Sequence, residues 1–268
     1  MKRIFTSILF FASLSTCLGQ QDSIMRHMDL LAKSYEKVYG FSGHIKVMMN
    51  DREVFEGSYG LADRSFDIKN DSSTRFSINS ISKTFTAAAV LTLVHDGVLD
   101  LHVPIKNYLP QLNATWNDSV TIHHLLTHTS GLPRESGVQA EDELTFARQV
   151  GLVEKQQLLF PPGERYSYSN SGIILLGAIL EEVSGLTYGE IIEQRIITPL
   201  GLTNTGYYRG RNVVKNLAVP YRFTINGLEF AQRSKHYGDN AGGGFYSNVS
   251  DLYAFVVGLE QNKVLPEA

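Results

Sequence analysis

The spacing of apolar and polar positions divides the chain into strand-like, then helix-like, then again strand-like stretches. Residues 22–38 carry Ile24, Met28, Leu31, Tyr35 and Val38 at helical spacing, and Gly40 ends the pattern. Phe41–Met49 and Val54–Tyr59 read as strands joined by Asn50-Asp51-Arg52, which predicts a hairpin. A helix is expected from about Lys83 to His95, stopped by Gly97, with a short one near Ile122–Thr127 and another over Asp142–Val153. Pro161-Pro162-Gly163 is a firm break. Beyond it, Ser171–Val183 forms a strongly apolar helix closed by Gly185, and Tyr188–Ile197 forms the next. Asn226-Gly227, between Val219–Ile225 and Leu228–Ala231, signals a tight hairpin turn. Gly242-Gly243-Gly244 reads as a loop of flexible or close backbone approach, and Ser250-Asp251 opens a final helix.

This order predicts an α/β fold: an antiparallel sheet drawn from both chain ends and flanked by helices, with a helical lobe over about residues 100–205. A chain of 268 residues can bury a sizeable core, as one large domain or two interleaved lobes. Its 43% apolar and 19% charged residues, without a low-complexity tract, are those of a soluble globular protein. Lys and Arg are scattered and the net charge is −3, so no nucleic-acid partner is expected.

The first residues depart from this composition. Lys2 and Arg3 precede an apolar run from Ile4 to Leu14, followed by small and polar residues from Ser15 to Gly19. Basic, apolar and small segments in that order predict a secretory signal peptide over residues 1–19, with the mature domain from residue 20 to 268. Export to the periplasm or medium follows, with no membrane span once the signal is removed. The only cysteine, Cys17, lies in this segment, so the mature chain would hold no disulfide. Thr16 fits poorly before a lipid-modified cysteine, which disfavours an anchor there.

Candidate chemistry begins at Ser80-Ile81-Ser82-Lys83. A helix starting near Ser80 would set the Lys83 amine one turn away on the same face, and its N-terminal N–H groups would favour a developing oxyanion. An adjacent amine can activate a serine hydroxyl, which is otherwise a weak nucleophile. Ser-x-x-Lys alone is weak evidence: Ser34-Tyr35-Glu36-Lys37 repeats it inside an amphipathic helix. His124 and His128, four apart, invite a metal reading, but the flanking Glu of the zinc-hydrolase motif is missing and no third ligand is obvious. Gly-x-Ser-x-Gly and phosphate-binding glycine loops are absent. No metal or organic cofactor is expected.

Context separates the two serine motifs. Thr74-Arg75-Phe76-Ser77-Ile78-Asn79 leads into Ser80, and Lys83-Thr84-Phe85-Thr86-Ala87-Ala88-Ala89 follows. With Leu125-Leu126-Thr127-His128-Thr129-Ser130-Gly131-Leu132, Tyr166-Ser167-Tyr168-Ser169-Asn170 and Gly242-Gly243-Gly244-Phe245-Tyr246-Ser247, these blocks cover nearly the whole mature chain. Together they resemble the serine β-lactamase and penicillin-binding protein superfamily, in its class C-like branch.

That resemblance implies a β-lactamase/transpeptidase-like fold and acyl transfer to Ser80, with Lys83 and Tyr168 handling its proton. It implies that Asn170 offers its amide to Lys83 and to a substrate carbonyl, and that the three reactive groups meet in a water-poor crevice. Tyr246-Ser247-Asn248 is a second candidate for the Tyr-x-Asn element. The substrates implied are D-alanyl peptides, β-lactams or small esters.

A third family element, Lys-Thr-Gly or His-x-Gly on a strand after the triple glycine, has no counterpart there. His95-Asp96-Gly97 has the letters, but at a helix end and in the wrong order. The expectation is therefore a chain truncated before that strand, with a naturally short, non-catalytic cell-wall or ligand-binding relative as the alternative. The signal-peptide expectation is checked by intact mass after expression in a cell with a general secretory pathway. The exported chain should begin near Gln20, and one retaining Met1 would contradict it.

Overall fold

The computed structural model describes residues 23–135, 137, 143–209, 213–231 and 237–265. The signal segment and Cys17 lie outside them. The described residues fall into two compact units, one up to Thr74 and the other from Arg75 onward.

In the first unit, residues 23–39 form helix α1. Strands β1 (Gly43–Met49) and β2 (Arg52–Tyr59) pair antiparallel from Gly43↔Tyr59 to Met49↔Arg52, with a register shift at Val47/Met48. Asn50 and Asp51 make the turn with φ of 50° and 58°, the left-handed pair that a two-residue hairpin requires and that these side chains tolerate. Strands β3 (Leu61–Asp63) and β4 (Ile68–Lys69) form a second antiparallel pair.

Helix α1 corrects the expectation from its periodicity. Leu31, Tyr35 and Val38 are exposed, while Ala32 is buried with Phe55 and Tyr59. Polar bonds set this orientation. The Tyr59 hydroxyl donates to Asp29 Oδ1 at 3.0 Å, and Gly60 N donates to Glu36 Oε1 at 2.9 Å. Asp29, Ala32 and Glu36 share one helical face, so satisfying those donors turns the apolar stripe away. Burial, then the Asp29 carboxylate, push the Tyr59 phenol up to about 12. The spare Ser34 and Lys37 are exposed on this helix.

The second unit holds a three-stranded antiparallel sheet in the order β5 (Phe76–Ser77), β11 (Phe245–Ser247), β7 (Gly206–Tyr207). Its middle strand comes from the far end of the chain. A 3-10 turn, Asn79–Ile81, leads from β5 into helix α2 (Ser82–His95). Helices α3 (Ile122–Leu126), α4 (Phe146–Val153) and α5 (Asn170–Ser184) follow. Helix α6 (Tyr188–Ile192) continues through a π-type turn, Glu193–Ile197, into α7 (Thr198–Leu200), and α8 spans Val249–Glu260.

Every residue from Ser171 to Leu180 of α5 is buried, as its unbroken apolar sequence requires. Phe85 of α2 is fully buried and stacks on Phe245 at 5.5 Å and Phe255 at 4.2 Å, joining α2, β11 and α8. Among the described residues no single helix is long and apolar enough to cross a membrane.

Two local expectations shift. The helix expected over Asp142–Val153 begins only at Phe146, because the Thr145 hydroxyl caps it by accepting from Arg148 N. Glu143–Leu144 (β6) instead pair parallel with Tyr237–Gly238 (β10), and Asp142 lies outside the described residues. The late hairpin, β8 (Tyr221–Thr224) with β9 (Gly227–Phe230), turns on Ile225-Asn226, one residue before the expected pair. Gly227 opens β9 at φ +106°.

Phe85→Ala should cost about 3–5 kcal/mol of stability, the usual range for a buried aromatic cut to alanine. Denaturant unfolding measures it; a loss below about 1 kcal/mol would show that the site collapses around the smaller side chain.

Candidate active site

Ser80 sits in the 3-10 turn just ahead of α2 rather than in the α-helix itself. Asn79, at φ +44°, makes the sharp bend out of β5, a left-handed conformation that asparagine tolerates. Lys83 follows in the first turn of α2. Its Nζ donates to Ser80 Oγ at 3.1 Å and to the Gly242 carbonyl at 2.7 Å.

The third group arrives from the coil before α5, where the Tyr168 hydroxyl donates to Ser80 Oγ at 3.0 Å. Lys83 Nζ lies 5.1 Å from the Tyr168 ring centroid and the Arg134 guanidinium 5.4 Å from it. Ser80, Lys83 and Tyr168 thus converge across 88 residues of sequence.

Their surroundings differ from the dry crevice expected. Lys83 is buried, Tyr168 half-buried and Ser80 exposed, so the hydroxyl stands at an open surface above a buried amine. Burial alone would raise the Tyr168 phenol. Hydrogen bonding to Lys83 and Ser80, with the positive charges of Lys83 and Arg134, outweighs it and holds the phenol below its ordinary value.

The triple glycine positions the amine. Asn240 folds the loop by accepting from Gly242 N through Oδ1 at 3.0 Å and from Gly244 N through its carbonyl at 3.1 Å. A Cβ at Gly242 would stand 3.0 Å from Lys83 Nζ, and one at Gly244 only 2.5 Å from Tyr207 and 2.7 Å from the Asn240 carbonyl. Thr86 of α2 donates to the Ala241 carbonyl at 2.8 Å and shares a 2.7 Å bond with the buried Tyr188 hydroxyl. The loop is therefore pinned to the helix that carries Lys83.

Asn170 departs from expectation. Its Nδ2 donates to both Glu135 carboxylate oxygens at 3.2 Å, and its backbone N to the Arg134 carbonyl at 2.8 Å, so the amide turns toward Glu135 rather than Lys83. Tyr246 lies elsewhere, beside Gly206 and 5.7 Å from the Arg75 guanidinium.

The two histidines have separate roles. His124 Nδ1 accepts from Thr121 N at 3.2 Å in the capping box of α3, and His128 Nδ1 accepts from Ser169 N at 3.2 Å. Among the described residues no group of three or more His, Cys, Asp or Glu side chains is placed to hold a metal ion. Sequence reasoning missed Arg134, Glu135 and Asn240, which carry no motif of their own.

A family model described as Beta-lactamase matches residues 34–268, nearly the whole described chain and the entire site. The chain belongs to the beta-lactamase family. Membership in this family sets it within a superfamily of serine hydrolases.

PbpX of Bacillus subtilis (strain 168) is 30% identical over 235 residues, covering 86% of this chain and 58% of its own length. A penicillin binding protein from Bacillus halodurans superposes with a TM-score of 0.78 at 31% identity, covering 88% of this chain and 74% of its own. A D-stereospecific amidohydrolase from Streptomyces sp. does so with a TM-score of 0.64 at 28% identity, covering 72% and 63%. The chain spans between 37% and 58% of the length of curated relatives that it matches.

Gly242→Ala tests the loop's part in this site. The added methyl meets the end of a flexible side chain, so stability should change by less than about 1 kcal/mol. The amine should be displaced and Ser80 labelling by a fluorophosphonate slowed at least about tenfold, the worth of one hydrogen bond. Unchanged labelling would remove the loop's positioning role.

Proposed function

We propose that this chain carries the nucleophile and proton-transfer groups of an exported serine hydrolase that forms an acyl-enzyme on Ser80. The observation that carries this reading is the pair of bonds to one hydroxyl oxygen, from Tyr168 at 3.0 Å and Lys83 at 3.1 Å.

The chemistry follows from those contacts. With the phenol ionised, Tyr168 accepts the Ser80 proton as Oγ attacks the substrate carbonyl carbon. The tetrahedral centre collapses with cleavage of the C–N or C–O bond, and Tyr168 returns the proton to the leaving amine or alcohol. Water then adds to the ester on Ser80, giving up its proton to the same phenolate, and the free acid and the Ser80 hydroxyl are restored. The Lys83 ammonium group beside the phenol favours its ionised form.

The similar Bacillus halodurans protein is named for penicillin binding and the Streptomyces protein for D-stereospecific amide hydrolysis. On that support we assign the substrate class as D-alanyl peptides, β-lactams or small esters, with export by the N-terminal segment. Asn170, at the start of α5 and bonded through its amide to Glu135, is assigned to the substrate's carbonyl side.

Two measurements test this reading. A fluorophosphonate or labelled penicillin should attach at Ser80 and nowhere after Ser80→Ala; mass spectrometry finding no adduct on Ser80, with muropeptide binding intact in Ser80→Ala, would favour a non-catalytic binder. Tyr168→Phe should slow acylation by about 10²–10⁴-fold, the usual contribution of a general base. The labelling rate should rise with pH as the phenol ionises, with its midpoint below the ordinary range of a tyrosine because Tyr168 is held below it. Arg134→Gln removes one of the charges favouring the phenolate, so that midpoint should move upward. A profile unmoved by Arg134→Gln and still present in Tyr168→Phe would assign the base elsewhere.

A further inference from the structure

His128 grips the two peptide N–H groups on either side of Tyr168. Its carbonyl oxygen accepts from Ser167 N at 2.8 Å, and its Nδ1 accepts from Ser169 N at 3.2 Å. Its ring lies 4.6 Å from the Tyr168 ring, tilted by 34°, and stands edge-on to Tyr166 at 5.9 Å. The His128 backbone is left-handed, at φ +57°, a conformation uncommon outside glycine but one in which histidine is enriched. The rest of this segment repeats the attachment: Ser169 Oγ donates to the Pro133 carbonyl at 2.8 Å, and Asn170 N to that of Arg134 at 2.8 Å.

A backbone N–H can only donate, so Nδ1 must be the unprotonated nitrogen and the ring proton must sit on Nε2. We propose that His128 is a positioning residue for Tyr168: a neutral imidazole whose acceptor nitrogen, together with its own carbonyl, clamps the backbone from which the phenol reaches Ser80. This rests on the reading of Tyr168 as the proton acceptor for Ser80.

Charged and titratable groups surround the imidazole, and among them the Lys83 charge favours its neutral state. Lys83 approaches from α2, Tyr166 and Tyr168 from the clamped segment, and Arg134 lies over the Tyr168 ring. Burial, then the Lys83 charge, hold His128 below its ordinary value. Protonation at Nδ1 would set two donors against each other and release Ser169.

Three variants of the full chain separate the acceptor from the ring. His128→Asn keeps an acceptor near the Nδ1 position and tolerates the left-handed backbone. His128→Phe keeps the ring and loses the acceptor. His128→Gln moves the polar end outward and replaces the Phe variant if that one fails to fold. The activity-independent readout is hydrogen exchange of the Ser169 amide by NMR. It should be protected in wild type and His128→Asn and fast in His128→Phe or His128→Gln.

Ser80 labelling by a fluorophosphonate should stay within about threefold of wild type in His128→Asn and fall at least about tenfold in the others, the scale of one lost hydrogen bond. The midpoint of its pH profile should also rise in the variants that lack the acceptor. Ser169 protection that survives His128→Phe or His128→Gln, or equal slowing in all the variants, would overturn the proposal. If wild type does not label at Ser80, the hydrolase reading falls, and Ser169 exchange still decides whether His128 is the clamp.

Discussion

A buried amine must be met by acceptors, because an unpaired charge withdrawn from water costs several kcal/mol even after relaxation. Lys83 is such a group, and the architecture around it supplies two acceptors from distant parts of the chain. Ser80 Oγ comes from the same helical turn, and the Gly242 carbonyl from a loop 159 residues away. For that carbonyl to stand 2.7 Å from the amine, the loop must press against α2 without side chains. Asn240 then has to hold it folded, and Thr86 has to fasten it. The core beneath serves the same end. Phe85 lies two residues beyond Lys83 on the same helix and stacks on β11 and α8, the elements that follow the loop. The anchor on Gly242 and the packing of Phe85 are thus two ends of one constraint.

Tyr168 is held by different means. It projects from coil rather than from a regular element, so no helix or sheet ladder fixes its backbone. The segment from His128 to Arg134 takes over that task by accepting hydrogen bonds from successive groups of residues 167–170. One side of the site is consequently rigid through helix and core, and the other through a run of loop-to-loop bonds.

The family motifs were legible because they are local. Asn50-Asp51 selects its turn through the φ of the two residues themselves, and the apolar run of α5 can only be an interior helix. Ser80 and Lys83 share one helical turn, so their proximity also follows from spacing alone. The expectations that shifted were those in which tertiary bonds outrank local pattern. Helix α1 turns its apolar stripe outward because Asp29 and Glu36 satisfy donors on the hairpin. Glu143–Leu144 leave the expected helix for a bridge to Tyr237–Gly238, and the Asn170 amide goes to a carboxylate whose position no motif encodes.

The amino-acid order by itself therefore determined the order of elements, the principal turns and the pairing of the Ser80 hydroxyl with the Lys83 amine, since each depends on interactions within a few residues. Only the tertiary structure decided that Tyr168 rather than Tyr246 meets that hydroxyl, that Gly242 supplies the second anchor, and that the His128 ring accepts from the peptide next to the tyrosine. Those outcomes depend on which distant polar groups can reach one another once the core has packed, and one-dimensional spacing carries no measure of that distance.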